Sequence, residues 1–236
     1  MSLPRVLLII PCYNEQGSIS ALLKEIDDLC HDFEVIVVDD GSLDDTFKIA
    51  QPLSPTVHLL RNLGIGGAVQ TGFKYADRHD FDFCVQIDGD GQHPPGQISK
   101  LLAAYGKDPA EIVIGSRFLT NDSFRSTWLR RFGGQIIART LKILFPNCQI
   151  SDPTSGMRLM NRRAIQFFAR QYPYDFPEPI SLAWALRAGM SVRDTPIKMR
   201  ARQKGQGSIV GIKPLAYILR VLGYILLSRL KRRSLL

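Results

Sequence analysis

The first 118 residues alternate short apolar runs with amphipathic segments, and this alternation restricts the fold more than any other feature of the chain. The runs are rich in valine and isoleucine and are bounded by turn residues, as strands are. The predicted strands are Val6–Ile10, Glu34–Val38, Val57–Leu60, Phe83–Ile87 and Ile112–Ile114. Continuously apolar strands that alternate with helices predict an α/β fold, in which helices cover both faces of a mostly parallel sheet.

The segments between the strands have helical spacing. The first carries its apolar residues on one face and begins after Ser18, the expected N-cap. Its apolar residues are Ile19, Leu22, Leu23, Ile26 and Leu29. The other helices predicted in this part of the chain are Thr46–Ala50, Gly67–Ala76 and Ile98–Tyr105.

After Phe118 the pattern changes. A long helix is predicted first, and a loop with the sequence NCQISDPTSGMR follows it. The elements predicted in this part are helices at Trp128–Phe145, Arg162–Arg170 and Ile180–Ala188 and a strand at Val192–Met199. The chain has no Ser/Gly-rich linker and no internal repeat, so we do not expect it to divide into independent domains.

Composition narrows the class of protein. With 45% apolar and 22% charged residues the chain resembles an ordinary globular protein. Its four cysteines are scattered, which argues against a zinc site or a disulfide framework and favours a reducing compartment. The N-terminal segment has only five consecutive apolar residues, fewer than a signal peptide needs, so we interpret it as a first strand of a cytosolic protein.

The basic charge is concentrated at the C-terminal end. Residues 195–236 contain ten Lys and Arg and no Asp or Glu, whereas residues 1–194 contain 20 basic and 22 acidic residues. The basic residues are interleaved with a long aliphatic helix, which is not typical of a nucleic-acid-binding domain. We therefore expect no nucleic-acid partner.

Polar residues follow every predicted strand of the first 118 residues. The segments are PCYNE (Pro11–Glu15), DDGS (Asp39–Ser42), RNLGIGGA (Arg61–Ala68), DGDGQH (Asp88–His93) and GSR (Gly115–Arg117). The carboxyl ends of parallel strands meet at one edge of the sheet, where ligands bind in folds of this class. The sequence therefore predicts a polar pocket at that edge.

Several of these segments have simpler interpretations. Asp39 and Asp40, taken alone, are as consistent with a turn that carries an N-cap as with a ligand site. The glycines of RNLGIGGA do not form a dinucleotide-binding motif, because Val69 occupies the third glycine position, and a tight turn is the preferred interpretation. DGDGQ resembles the start of a calcium loop, but Gln92 and His93 break that pattern and position twelve is Ser99, which excludes an EF-hand.

Asp88 and Asp90 place two like charges side by side with no cation in the same stretch. Mg²⁺ prefers one or two carboxylates together with substrate phosphates and water. Gly89 and Gly91 let the backbone approach a bulky ligand, and Arg117 has the geometry to pair with a phosphate. This pattern favours a metal and nucleotide-diphosphate site; the alternative is a pair of aspartates in a surface turn.

The motifs PxYNE, VDDGS, DGDGQHP and GSR occur here in the order in which they occur in family 2 glycosyltransferases of GT-A fold, and the chain resembles that family. The later segments DPTSGMR and RQKGQGSI resemble the dolichol-phosphate mannose synthase-like branch, which comprises polyprenyl-phosphate glycosyltransferases. The resemblance implies a GT-A domain at 1–211, with a nucleotide-binding half at 1–118 and an acceptor half at 119–211.

The resemblance also implies roles for individual residues of the donor site. The residues expected to contact the base and ribose of a sugar nucleotide are Pro11, Tyr13, Glu15, Asp39 and Asp40. Arg61 and Gly89 are expected in the same nucleotide-sugar site. The residues expected to hold Mg²⁺ or Mn²⁺ with the diphosphate are Asp88, Asp90 and Gln92.

Arg117 and Arg131 are expected to meet donor or acceptor phosphates. The residues expected to line the acceptor side are Asp152, Ser155 and Arg158, and the resemblance places Arg202 and Ser208 in a loop that closes over it. The residues expected to take part in catalysis are Asp90, Arg117, Arg131 and Asp152. The implied reaction is inverting transfer of the sugar by in-line attack of the acceptor on the anomeric carbon, from which the nucleoside diphosphate leaves. A hydroxyl acceptor would need a general base, Asp152 or Glu178, whereas a phosphate acceptor is already ionised and needs only basic residues to orient it. The surplus of basic residues here, Lys204 among them, favours a phosphate.

The tail at 212–236 departs from relatives that carry transmembrane helices. Pro214–Leu230 is 17 residues long and contains Arg220, whereas a membrane span needs about 20 apolar residues. Its polar positions form one helical stripe, namely Tyr217, Arg220, Tyr224, Ser228 and Lys231. A basic amphipathic helix of this kind predicts peripheral binding to the inner face of the cell membrane or to a small membrane partner protein. The alternative is a helix that packs on the protein's own core.

The leading hypothesis is therefore a peripheral membrane enzyme that moves a sugar from a nucleotide donor to undecaprenyl or dolichyl phosphate. One alternative is a cytosolic glycosyltransferase that acts on a hydroxyl of a glycan, a protein or a small molecule. Another is a non-catalytic nucleotide-binding module that recruits partners to membranes. Nucleotidyl transfer is disfavoured, because PCYNEQGS replaces the glycine-rich basic loop expected after the first strand.

Overall fold

The computed structural model describes residues 4–119, 128–146, 148, 150–200 and 213–230, and at 128–130, 213–215 and 230 it describes the backbone alone. Arg202, Lys204 and Ser208 therefore lie outside the described residues.

Seven strands form one sheet in the order β3-β2-β1-β4-β6-β5-β7. The strands are β1 (Val6–Cys12), β2 (Glu34–Asp39), β3 (Thr56–His58), β4 (Phe83–Gln86), β5 (Ile112–Ser116), β6 (Arg158–Asn161) and β7 (Val192–Pro196). Only β6 runs antiparallel to its neighbours, β4 and β5. The mostly parallel α/β sheet predicted from the sequence is confirmed.

Eight α-helices accompany the sheet in the described part of the chain. They are α1 (Ile19–Leu29), α2 (Thr46–Ala50), α3 (Gly64–Arg78), α4 (Ile98–Lys107), α5 (Trp128–Leu144), α6 (Arg162–Arg170), α7 (Pro177–Arg187) and α8 (Lys213–Leu230). Alternate residues of β1 belong to two separate cores, because successive side chains of a strand point to opposite faces. Leu7 and Ile9 pack with α3 and α5–α8, whereas Leu8 and Ile10 pack with α1, α2 and α4.

Two local predictions were wrong. No strand is predicted between the loop NCQISDPTSGMR, which ends at Arg158, and the helix at Arg162–Arg170. The structure forms β6 there, a short strand without valine or isoleucine that is inserted between β4 and β5. The glycines of RNLGIGGA do not form a tight turn; they open α3. A Cβ on Gly66 would lie 2.1 Å from the carbonyl oxygen of Pro173, so this glycine permits α3 to approach the backbone before α7.

Two other boundaries differ in detail. Ser18 is the N-cap residue of α1, as predicted, but its hydroxyl makes no capping bond and instead donates to Glu15 and to the carbonyl oxygen of Gly89. The strand predicted at Val192–Met199 ends at Pro196.

The last helix packs on the body of the protein, which was the alternative interpretation of the tail. Its buried face consists of Ile218, Val221, Ile225 and Ser228, which lie against α5 and α7. Arg187 of α7 donates a hydrogen bond of 2.5 Å to the carbonyl oxygen of Ser228. Of the predicted polar stripe, Ser228 is buried and Tyr217 is half-buried, whereas Arg220 and Tyr224 are exposed. Lys231 lies outside the described residues. No helix in the described part of the chain has the length and apolarity needed to cross a membrane.

Substitution of two helical glycines tests the close approach of α3 to the chain before α7. We expect Gly66→Ala to destabilise the protein by about 1–3 kcal/mol, because its methyl group meets backbone atoms that have no room to move. The matched control is Gly106→Ala in α4, where a Cβ meets nothing within 4 Å, and which we expect to raise stability by about 0.5–1 kcal/mol. Urea denaturation measures both; equal effects of the two substitutions would contradict the packing.

Candidate active site

The candidate site lies where the strand order reverses. From β1 the chain continues to β2 and β3 on one side, and β4 pairs with the other edge of β1. Connections that leave on opposite sides of a sheet open a crevice at the carboxyl ends of the two strands. The segments Pro11–Glu15 and Asp88–His93 follow β1 and β4, so they form the two walls of this crevice.

Four carboxylates surround the end of β1. Burial raises the pKa of the Cys12 thiol, and the negative charges of Glu15, Asp39, Asp88 and Asp90 raise it further. The backbone at Gly89 lies close to the end of β1, because a Cβ on Gly89 would lie 2.5 Å from the Cys12 sulfur and 3.2 Å from the Pro11 carbonyl oxygen. The structure therefore brings the acidic residues of three separate motifs together, as the sequence predicted.

Asp88 lies against the loop that precedes β6. A Cβ on Gly156 would lie 2.6 Å from one Asp88 carboxylate oxygen, so a side chain there would displace the carboxylate. Nδ1 of His93 lies 3.5 Å from the same oxygen, and the Asp88 side chain is 37% exposed. His93 itself is buried, and neither ring nitrogen has a hydrogen-bond partner among the described residues. The exposed carboxylate is thus open to a ligand.

Asp90 and Gln92 complete the predicted metal-binding turn. The backbone N–H of Gln92 donates a hydrogen bond of 3.0 Å to Asp90 Oδ1, and the side-chain nitrogen of Gln92 donates to the carbonyl oxygen of Arg200. No group of three or more His, Cys, Asp or Glu that could hold a metal occurs in the described ranges. Two carboxylates on one turn nevertheless fit a cation such as Mg²⁺ or Mn²⁺, which takes its remaining ligands from phosphates and water.

Arg117 forms a bidentate ion pair with Asp152. Arg117 Nε lies 2.6 Å from Asp152 Oδ2 and Nη2 lies 2.7 Å from Oδ1, while Thr154 accepts a further bond. Asp152 is fully buried. Burial alone would lower the pKa of the Arg117 guanidinium, but the hydrogen bonds and charge of Asp152 raise it. Asp152 therefore orients Arg117 and is not a free general base in this arrangement.

A second layer of hydrogen bonds holds this ion pair. Both the backbone N–H and the hydroxyl of Ser151 donate to Asp194 Oδ2 at 2.5 Å, and the Ser151 hydroxyl also lies 2.6 Å from that of Ser116. Ser151 immediately precedes Asp152, so β7 fixes the loop that carries the acceptor for Arg117. Burial raises the pKa of Asp194 to about 6.

Arg158 does not line the acceptor side as expected. Its side chain is 2% exposed, and its guanidinium donates to the carbonyl oxygens of Pro153, Ser155 and Glu178 and to the hydroxyl of Ser181. The expectation was wrong because the guanidinium is fully used in joining the loop before β6 to the start of α7. Ser155 is buried in the same network.

Glu178 lies close to this network at the start of α7. Its side chain is half-buried, and burial raises the pKa of its carboxyl group. The charge of Asp88 raises that pKa further, whereas Arg158 and Arg117 lower it. Glu178 is therefore a candidate general base near Asp88, which follows β4.

Of the residues predicted to bind the nucleotide, Asp39 and Asp40 accept hydrogen bonds from the protein, whereas Tyr13 is exposed. Asp39 is fully buried and accepts hydrogen bonds from Ser42 and from Nδ1 of His58. Asp40 accepts a hydrogen bond of 2.7 Å from the Leu63 amide, and burial raises its pKa. Tyr13 is 42% exposed and available to a ligand.

The other residues of the predicted donor site are placed mainly by their backbones. Pro11 is a buried residue of β1, and the Glu15 amide donates to the hydroxyl of Thr46 at 2.7 Å. Arg61 is exposed, and its backbone lies against Gly41. His58 was missed, because its position inside an apolar run indicated only a strand residue.

Phe118 brings the two predicted phosphate-binding arginines together. The guanidinium carbons of Arg117 and Arg131 lie 5.5 and 5.9 Å from its ring centroid. Arg131 is exposed on α5.

The raised pKa of Asp194 predicts a pH-dependent stability. Folding raises this pKa from about 3.8 to about 6, so its contribution is complete below pH 3.8 and is lost as the pH rises through 6. In the wild type we expect the free energy of unfolding to fall by on the order of 2 kcal/mol between pH 4 and pH 7 because of Asp194. Asp194→Asn removes the titrating group and should remove this decrease. Urea denaturation between pH 4 and pH 7 measures the difference. Asp27→Asn, at an exposed position in α1, is the control; the expectation fails if both variants keep the wild-type slope.

Comparison with known proteins agrees with the geometry. Residues 7–168 match the Glycosyl transferase family 2 model. A polyprenol monophosphomannose synthase of Mycolicibacterium smegmatis is 29% identical over 88% of this chain and 82% of its own length. A UDP-N-acetylglucosamine–dolichyl-phosphate N-acetylglucosaminyltransferase of Methanococcus voltae is 28% identical over 88% of this chain and 92% of its own length.

Among solved structures, glucosyl-3-phosphoglycerate synthase of Mycobacterium tuberculosis, in complex with Mn²⁺, UDP-glucose and phosphoglyceric acid, has a TM-score of 0.69. The match covers 98% of this chain and 81% of that one at 19% identity. At this identity the likeness establishes the fold.

Proposed function

Because the chain belongs to glycosyl transferase family 2, we propose that it moves a sugar from a nucleotide-diphosphate sugar to a polyprenyl phosphate, with inversion at the anomeric carbon. The observation that carries the proposal is the placement of Asp88 and Asp90 at the strand-order reversal. The names of relatives that align with most of this chain support the acceptor class.

In this proposal, Asp88 and Asp90 hold a divalent cation, and residues 1–118 bind the nucleotide. A bound Mg²⁺ or Mn²⁺ supplies positive charge that offsets the charge on the leaving diphosphate. Gln92 is a further candidate ligand through its side-chain oxygen, because the hydrogen bond to the carbonyl oxygen of Arg200 comes from its side-chain nitrogen. Arg117 and Arg131 are the described basic side chains beside this turn that we assign to phosphate recognition, with Asp152 as the residue that positions Arg117.

The ion pair of Asp152 favours a phosphate acceptor. A hydroxyl acceptor requires a general base, and Asp152 is buried and paired with Arg117. A phosphate is already ionised at neutral pH and requires only orientation. The second candidate function, transfer to a hydroxyl group, is favoured by one observation, the half-buried Glu178 with its raised pKa.

Replacement of the paired carboxylates tests the proposed reaction. We expect Asp88→Asn and Asp90→Asn each to lower transfer by about a hundredfold or more, because charge on the leaving group is then not neutralised. The assay incubates radiolabelled nucleotide sugars and Mn²⁺ with undecaprenyl or dolichyl phosphate and counts the chloroform-soluble product.

Asp28→Asn, at an exposed position in α1, is the matched control and should keep full activity. A wild-type protein that labels a glycan or peptide hydroxyl, but neither polyprenyl phosphate, would establish the second candidate. Binding of nucleotide sugars without transfer to any acceptor would instead favour a non-catalytic recruitment module.

We also propose that α8, within the segment 212–236, holds the enzyme at the inner face of the cell membrane. The face of α8 opposite its packed side exposes Leu219, Leu226 and Leu227, each at 50% or more. Arg220 and Arg229 are exposed on the same helix. Exposed leucines with flanking arginines suit an interface with anionic lipid.

The first turn of α8 with described side chains lies near the acceptor side. Tyr217 contacts Phe176 edge-on, with ring centroids 4.9 Å apart. Burial raises the pKa of Tyr217, and the negative charge of Glu178 raises it further. This proximity supports delivery of a membrane-bound acceptor along α8 to residues 119–211.

Paired substitutions on the exposed face of α8 test this membrane contact. We expect Leu219→Gln with Leu226→Gln to lower the partition coefficient onto vesicles of equimolar phosphatidylglycerol and phosphatidylcholine, measured by sedimentation, by about a hundredfold, because burial of each leucine contributes about 1.5 kcal/mol. These substitutions leave the packed face intact, which deletion of residues 212–236 would not.

Leu29→Gln with Leu53→Gln, two exposed leucines outside α8, is the control. Equal sedimentation of the α8 variant and this control would refute the lipid contact. Vesicle binding that requires a membrane protein would indicate the partner instead.

A further inference from the structure

A groove lies between α6 and the turn that joins α7 to β7, and we call it the α6–α7 groove. Its volume is about 650 Å³, and one wall is a face of α6 that carries Arg163, Gln166 and Arg170. The other wall is the turn itself with Arg187, the last residue of α7. β7 pairs with β5 from Val192 onward, and both strands run in the same direction as β1. The groove therefore lies at the amino ends of the strands, whereas the donor crevice lies at the carboxyl ends.

The α6–α7 groove carries positive charge. Three of the nine described residues that line it are arginines, and none of the nine is Asp or Glu. Arg163 pairs with Glu111, which lies 2.7 Å away and is not among the nine. Arg170 is exposed and forms no ion pair within the described part of the chain. This surplus of positive charge favours an anion in the groove.

Arg187 gives a second, independent indication of a ligand. The residue is 6% exposed, and its Nη1 donates a hydrogen bond to the carbonyl oxygen of Ser228. Its Nη2 is buried and has no hydrogen-bond partner among the described residues. Buried guanidinium groups are ordinarily paired, because a buried N–H without an acceptor is costly. An oxygen acceptor in the groove that Arg187 lines would supply the missing partner.

Arginines near helix ends also have a simpler role. Arg170 and Arg187 lie in the last turns of α6 and α7, where positive charge offsets the helix dipole. That role requires charge near the end of the helix, but it requires neither a shared groove nor an acceptor for Nη2. The dipole therefore accounts for the position of these arginines and leaves the unpaired nitrogen unexplained.

We propose that the α6–α7 groove binds the phosphate group of an organic phosphate, and that Arg170 and Arg187 hold this group. The planar guanidinium fork matches two oxygens of a phosphate, and charge strengthens both hydrogen bonds. A groove of about 650 Å³ also has room for the organic part, which Phe167 and Met190 in the walls would contact. The site is separate from the proposed donor and acceptor sites and does not rest on the proposed function.

Two sources can supply this phosphate. One is the headgroup of an anionic lipid, because Arg187 contacts Ser228 of α8, the helix that we assign to the membrane surface. The other is a soluble phosphate ester. The chemistry that the groove recognises is the same for both, so the experiment has one arm for each source.

Isothermal titration of the full chain with sn-glycerol 3-phosphate and with dihexanoylphosphatidylglycerol tests the site. The lipid is kept below its micelle concentration, and EDTA removes any cation that could join a phosphate to Asp88. We expect the wild type to bind at least one probe, and Arg170→Gln to bind it about tenfold or more weakly, because a charge-assisted hydrogen bond is lost. Tighter binding of the lipid identifies a headgroup, and tighter binding of glycerol 3-phosphate identifies a soluble ester; either result supports the site.

Two control variants separate this site from general charge and from the active site. Arg78→Gln is the matched control, because Arg78 is exposed in the last turn of α3, as Arg170 is in α6. Arg131→Gln removes an exposed arginine that we assign to phosphate recognition in the active site. Both variants should bind the probes as the wild type does. Because Arg170 is exposed, its substitution tests the site without disturbing the buried contact of Arg187.

Failure of both probes to bind the wild type would overturn the proposal. Equal losses of binding in Arg170→Gln and Arg78→Gln would also overturn it, because they would indicate a general effect of charge. A loss in Arg131→Gln but not in Arg170→Gln would place the phosphate in the active site and refute the groove. Sugar transfer is measured in a separate assay, so each of these results leaves the proposed function standing.

Discussion

Repulsion among the carboxylates at the carboxyl ends of β1, β2 and β4 is the constraint on which the arrangement of the surrounding loops depends. Because their charges converge on the end of β1, each needs a compensating group. Asp39 receives hydrogen bonds from two side chains, and Glu15 accepts one from Ser18. Asp88, in contrast, lies against the backbone of Gly156 with its side chain 37% exposed. The protein thus compensates the inner carboxylates and leaves the Asp88 carboxylate partly exposed on the outer turn, where the proposed cation would bind.

The first half of the chain could be predicted from sequence because its determinants are local. Each parallel strand is buried on both faces and therefore reads as a continuous apolar run, and each run is followed by its polar segment. Local pattern failed for adjacent aspartates, however. Asp39 and Asp40 look equivalent in DDGS, yet one pairs with His58 and the other accepts from the Leu63 amide. Which neighbour each one meets depends on strand pairing between β2 and β3, which no short motif specifies.

The second half was less predictable because its contacts are distant in sequence or involve backbone atoms. Arg117 and Arg158 both looked like phosphate ligands. Arg117, which we assign to phosphate recognition, is oriented by a carboxylate 35 residues away, whereas Arg158 is satisfied by three carbonyl oxygens and a hydroxyl. Every residue has a carbonyl oxygen, so the sequence does not show which of them accept hydrogen bonds from an arginine. A buried structural arginine and a ligand-binding arginine therefore look alike in sequence. The antiparallel strand β6, inserted between β4 and β5, brings these contacts together. This strand was not predicted, because it is short and contains no valine or isoleucine.

The last helix shows why an amphipathic pattern does not determine which face of a helix is buried. Its polar residues are predicted to form one stripe, but Ser228 within that stripe is buried and satisfies its hydroxyl by donating to the Ile225 carbonyl oxygen in its own helix. Its own carbonyl oxygen accepts from Arg187, so the buried turn retains its hydrogen bonds. With that face packed on α5 and α7, leucines remain on the outside. A helix with apolar residues around most of its circumference is buried against two surfaces. The protein supplies one of them, and the lipid surface proposed above would supply the other by covering the exposed leucines.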